Sequence, residues 1–183
     1  MSISEPIMTD PSLPQQEPEQ IEPILPPHFL RDPVHLLAFG FGSGAVNRAP
    51  GTWGSLAAIP LYWLLFWLPG PVYWIAIVGF FLLGIWLCGK TARDLKVHDH
   101  GGIVWDEFVG MWIVLGLHPQ TLEGVLIAFV AFRFFDVLKP WPISWIDRHT
   151  PGGLGIMIDD VIAGFMAMAL VYVVDQTLIP FAL

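Results

Sequence analysis

WDEFVGMW (residues 105–112) places two adjacent carboxylates, Asp106 and Glu107, at the head of an apolar run. Two further stretches repeat the pattern. FRFFDVLKPWP (132–142) carries Asp136, and GIMIDDVIAG (155–164) carries Asp159 and Asp160. An ionised carboxylate near the centre of a membrane helix costs roughly 2.5–3.5 kcal/mol on insertion scales. Such residues belong near the interface, inside a protein, or around a compensating cation. Acids at the ends of three apolar segments therefore predict membrane helices with a metal site at the membrane surface.

The rest of the chain agrees with that solvent. It is 55% hydrophobic and only 13% charged over 183 residues, against about 25% charged in ordinary soluble domains. The net charge of −8 is uneven, because residues 1–32 set six acids against Arg31 alone. That Pro-rich acidic stretch lacks the basic start and apolar core of a signal peptide and reads as a disordered tail. Residues 33–183 read as one membrane-embedded domain. No basic run offers a nucleic-acid footprint. The single cysteine, Cys88, lies in an apolar run and cannot form an internal disulfide.

Beyond the tail, 34–46 is a short glycine-rich apolar segment, interfacial or re-entrant. Five hydrophobic segments follow at 56–68, 72–88, 107–117, 122–138 and 156 to about 174, separated by turns such as PGP (69–71) and HPQT (118–121). The expected fold is all-α: a compact polytopic helical bundle of about five short hydrophobic helices plus the N-terminal segment. A compact soluble bundle is the structural alternative. If each segment crosses, all eight Lys and Arg fall on one side, which the positive-inside rule makes cytoplasmic. The five acids share that side.

Arg133, Asp136 and Lys139 are spaced to lie along one helix face. Asp106 and Glu107 splay about 100° apart on a helix, as do Asp159 and Asp160, so one acid of each pair could ligate while the other caps a helix start. A donor set made of oxygen favours Mg²⁺ or a similar hard cation over Zn²⁺. His98 and His100 flank Asp99 but match no zinc motif, and read as a polar loop. Cations at Arg48, Lys90, Arg93, Arg133 and Lys139, beside a metal, suit a transferring phosphoryl group. The loop PGTWGS, with Thr52 and Ser55, adds hydroxyls and backbone donors. The rival reading is a small cation transporter or channel, which should carry charge through the midplane or on both sides.

The stretches HLLAFGFGSG (35–44), APGTWGSLAAIP (49–60), TARDLKVHDHGGIVWDEFVGMW (91–112), FRFFDVLKPWPISWIDR (132–148) and GGLGIMIDDVIAG (152–164), in this order, resemble the phosphatidylglycerophosphatase A family of bacterial membrane enzymes. The resemblance implies Mg²⁺-dependent hydrolysis of phosphatidylglycerophosphate to phosphatidylglycerol and inorganic phosphate, in a multi-pass protein of the bacterial inner membrane. It implies a metal held among Asp106, Glu107, Asp136, Asp159 and Asp160, with Arg133 and Lys139 on the phosphate monoester. Arg48, Thr52, Ser55 and Arg93 would contact substrate. The attacking group stays open between water and an aspartate, as do the oligomeric state and the liganding acid of each pair.

Overall fold

The computed structural model describes residues 25–26 and 28–177, so most of the expected 1–32 tail and all of the last six residues lie outside it. The described residues are helical, with short 3-10 turns at Phe29–Arg31 and Gly40–Ala45. Seven α-helices follow one another: α1 (Pro33–Ala38), α2 (Pro50–Phe66), α3 (Gly70–Leu95), α4 (Trp105–Leu115), α5 (Leu122–Leu138), α6 (Ile143–His149) and α7 (Gly152–Thr177).

Proline and glycine explain several boundaries. Pro33 and Pro50 begin helices where a missing N–H costs nothing. Asp32 caps α1 by accepting from the Val34 N–H at 2.8 Å, and the Thr121 hydroxyl accepts from the Gly124 N–H to start α5. The 139–155 segment, which lies between two of the expected hydrophobic segments, contains α6. Pro140 and Pro142 do end α5, but Pro142 then stands at the N-cap of a new short helix.

Among the described residues, α3 and α7 are long and apolar enough to cross a membrane. Each has 26 residues, or about 39 Å at 1.5 Å per residue. They extend well beyond the expected 72–88 and 156–174, because the polar ends of both segments continue the helix. The 17-residue α2 and α5 sit at the lower limit for spanning, roughly 17 residues. The expectation of about five short spanning helices is therefore met only in part.

The departure is α4. It has 11 residues, about 16 Å of helix, and ten of them are buried. It is the interior of the protein, enclosed chiefly by α2, α3, α5 and α7. Close approach of α5 and α7 to α4 depends on glycines: a Cβ on Gly110 would lie 2.5 Å from Phe132 Cε2 of α5 and 2.8 Å from the Asp160 carbonyl of α7, and one on Gly164 would lie 2.7 Å from the Gly110 carbonyl. Small residues at such crossings let helices pack by van der Waals contact. Indole donors add bonds to carbonyls of neighbouring helices, from Trp112 to Ala58 at 2.9 Å and from Trp105 to Phe80 at 3.1 Å.

The outer surface is apolar. Trp63 and Leu64 on α2 and Trp67 at its C-cap, Ile75, Val78 and Leu82 on α3, and Val130, Phe134 and Val137 on α5 are all exposed. A belt this extensive marks contact with lipid or another apolar partner.

Candidate active site

Chain reversal between consecutive helices brings the start of α2, the start of α4, the end of α5 and the early turns of α7 to one end of the bundle. Asp106 and Glu107 occupy the first turn of α4, where the macrodipole favours negative charge. Asp160 enters from α7. Ligand oxygens of these three carboxylates all lie within 4.8 Å of one another. Each also keeps one buried oxygen without a hydrogen-bond partner: Asp106 Oδ1, Glu107 Oε2 and Asp160 Oδ2.

Three acids converging in a protein interior repel one another and lose hydration, so the arrangement calls for positive charge. Arg133 supplies part of it. Its Nη1 pairs with Asp136, stands 3.9 Å from Glu107 Oε1, and donates to Ser55 Oγ at 3.4 Å. The Asp136 carboxylate also lies near enough to Asp160 to repel it. One guanidinium does not satisfy three carboxylates. Orphaned, close, oxygen-only donors fit a hard divalent cation such as Mg²⁺.

The second acid of α7 behaves differently. Asp159 is buried, but it accepts from Lys139 Nζ at 2.6 Å through Oδ2, and its Oδ1 accepts from the Asp160 N–H at 3.0 Å. Lys139 also reaches Asp147 Oδ1 at 3.2 Å. Burial works against the Lys139 charge, but the Asp159 and Asp147 carboxylates outweigh it and hold the ammonium above the ordinary lysine range. This lysine caps α5 at φ 40°, a left-handed conformation that helix ends usually give to glycine. Asp159 and Asp160 were expected to begin their helix. In fact α7 starts at Gly152, so they lie two turns inside it and neither is a cap.

The remaining candidates divide. Ser55 is buried, donates to the Gly51 carbonyl at 2.8 Å and faces Arg133. Thr52 is half-buried on the first turn of α2. Arg48 is exposed on the loop before α2, and Arg93 is exposed near the end of α3. Neither makes an ion pair with another described residue. Two contributors escaped the sequence reading. Gly51 lets the first turn of α2 press against the acids: a Cβ there would sit 2.2 Å from Glu107 Oε1 and 3.1 Å from Arg133 Nη1. The glycine of PGTWGS was its only signal. Asp147 lies on α6, outside the hydrophobic segments that the sequence marks as helices.

Comparison with known proteins gives this geometry a context. Residues 36–175 match the family model described as Phosphatidylglycerophosphatase A. The Escherichia coli protein named phosphatidylglycerophosphatase A is 49% identical over 148 residues, covering 80% of this chain and 86% of the relative. The Haemophilus influenzae protein of the same name is 51% identical over 148 residues, covering 80% and 91%. A Bacteroides thetaiotaomicron protein named putative phosphatidylinositol-3-phosphatase is 38% identical over 159 residues, covering 80% and 94%. No solved structure gives a significant match.

Proposed function

Because the chain belongs to the phosphatidylglycerophosphatase A family, we propose that it hydrolyses the terminal phosphomonoester of phosphatidylglycerophosphate, with Mg²⁺, yielding phosphatidylglycerol and inorganic phosphate. One observation carries the reading: three carboxylates from two helices, two of them buried and one half-buried, converge within 4.8 Å beside a guanidinium, and each keeps an unpartnered buried oxygen. Asp106, Glu107 and Asp160 would hold the ion. Bound there, Mg²⁺ supplies Lewis acidity and charge neutralisation for a phosphoryl group.

The chain's own residues do the rest. Arg133 presents a planar fork suited to two phosphoryl oxygens, and Asp136 and Ser55 fix its orientation. The first turn of α2, brought close by Gly51, adds the positive pole of a helix. Lys139 holds its proton too tightly to act as a general acid near neutrality, so its part is electrostatic. In the overall reaction the P–O ester bond breaks, a new P–O bond forms, and the glyceryl oxygen leaves with a proton. Direct attack by water and a phosphoaspartyl route differ in whether acid quenching traps phosphate on the protein.

The membrane setting follows from the substrate. A site at one end of an apolar-belted bundle takes a head group while the acyl chains stay in the bilayer. The one-sided distribution of Lys and Arg supports a multi-pass protein of the cytoplasmic membrane with this end facing the cytoplasm. The test is phosphate release from phosphatidylglycerophosphate in detergent, with Mg²⁺ and with chelator, beside phosphatidic acid. Release that chelator stops and Mg²⁺ restores is the expected result. Release untouched by chelator would remove the metal from the proposal.

A further inference from the structure

Beside the three-acid cluster, and outside it, lies a polar cleft of about 620 Å³ between α6 and the 98–99 loop. Such a volume is in the range of small-ligand sites. Lys139 forms one wall, and the same ammonium contacts Asp159, the chain neighbour of Asp160. The cleft therefore opens one side chain away from the proposed phosphoryl site. Its other cationic or protonatable walls are His98, Arg148 and His149. None of these three has a carboxylate within ion-pair distance among the described residues, and Arg148 uses only Nε internally, donating to the Ser144 carbonyl at 2.8 Å.

The cleft is not purely basic. Asp99, Asp147 and Thr150 also line it. Fixed carboxylates disfavour a dianionic monoester but accept hydrogen bonds from hydroxyls, so this mixture suits a singly charged phosphodiester carrying a polyol. Its depth fits too. Trp141 and Trp145, the latter stacked on His149 at 4.7 Å, are exposed at the same end, and tryptophan favours the head-group region.

We propose that this cleft is a second anion subsite, which binds the phosphodiester and polyol of the lipid head group while the terminal phosphate occupies the three-acid site. The inference rests on the function proposed above and adds the basis of head-group choice. The substrates in the names of two relatives, a phosphatidylglycerol phosphate and a phosphatidylinositol phosphate, both join a monoester to diacylglycerol through a diester. Phosphatidic acid has no diester and would leave the cleft unused.

Product inhibition separates the two subsites, because phosphatidylglycerol keeps the diester and inorganic phosphate resembles only the transferred group. Inhibition constants for both are measured in mixed micelles with the intact chain, for wild type, Arg148→Gln and His98→Gln. Arg148→Gln is expected to weaken phosphatidylglycerol inhibition about tenfold and His98→Gln severalfold, with phosphate inhibition within twofold in each. The inference is overturned if phosphatidylglycerol does not inhibit the wild type, if both variants leave its constant unchanged, or if the phosphate constant rises in step. No phosphate release by the wild type is a separate outcome, which removes the proposed function and this subsite with it.

Discussion

Two pairs of adjacent acids, Asp106–Glu107 on α4 and Asp159–Asp160 on α7, look alike in sequence and are used differently. Neighbours on a helix point about 100° apart, so a helix with one wet face should aim one acid inward and one outward. On α4 both acids reach the same cluster, Glu107 buried and Asp106, alone among the residues of that helix, only half-buried. On α7 the pair divides. Asp160 joins the cluster, while Asp159 is held by Lys139 at 2.6 Å. Both acids of the α7 pair are buried, so it is the partner each acid meets, rather than burial or spacing alone, that decides whether a pair acts together.

The largest effects should fall on the three clustered acids. Asp106→Asn, Glu107→Gln and Asp160→Asn each remove a charge that the proposed Mg²⁺ site and phosphoryl transfer share. Each should lower kcat at least about 10³-fold, the scale of losing one preorganised electrostatic group at a transition state. Initial rates over a Mg²⁺ titration check this, with a shift of the Mg²⁺ midpoint marking a ligand. A Glu107→Gln variant with normal rate and normal midpoint would break the symmetry drawn within the α4 pair.

Arg133 comes next. Arg133→Lys keeps the charge but loses the fork that reaches Asp136 and Ser55 while facing Glu107. A loss of about 10²-fold in kcat/KM is expected, measured on phosphatidylglycerophosphate in micelles. Asp159→Asn should be milder, about tenfold or roughly 1.4 kcal/mol in kcat/KM, with an unchanged Mg²⁺ midpoint, since the residue orients Lys139 rather than joining the cluster. Pairing it with Lys139→Gln in a double-mutant cycle should show non-additive losses. A shifted midpoint for Asp159→Asn would make the two α7 acids equivalent after all.

Much of this was legible in the sequence. Three apolar stretches with acids at their ends carried both the helical class and the residues that converge, because burying charge is costly enough to require a partner. The i, i+3 spacing of Arg133 and Asp136 showed directly as an ion pair. What sequence could not give was enclosure. The apolar run of α4 looks like a membrane crossing because interior and lipid select the same residues, and only its 11-residue length and its neighbours tell them apart. Glycine is equally mute: Gly51 and Gly110 mark close approach of another element, visible only once that element is in position. Two prolines around Trp141 concealed α6, and with it Asp147 and the wall of the cleft.

The smallest effects sharpen the comparison from outside the cluster. Arg48 and Arg93 were singled out as cations on the same side as the acids, but both are exposed and unpaired with described carboxylates, whereas Arg133 is packed among Ser55, Glu107 and Asp136. An exposed cation in water contributes little, about 0–1 kcal/mol even when paired. Arg48→Ala and Arg93→Ala should therefore keep kcat/KM within about twofold of wild type, measured in zwitterionic micelles, where a lost surface charge does not alter substrate recruitment. A loss approaching that of Arg133→Lys for Arg48→Ala would mean that the loop before α2 folds over the acids when substrate binds. The phosphate would then be gripped from two sides, and the first turn of α2 would be a moving part of the site rather than a fixed wall.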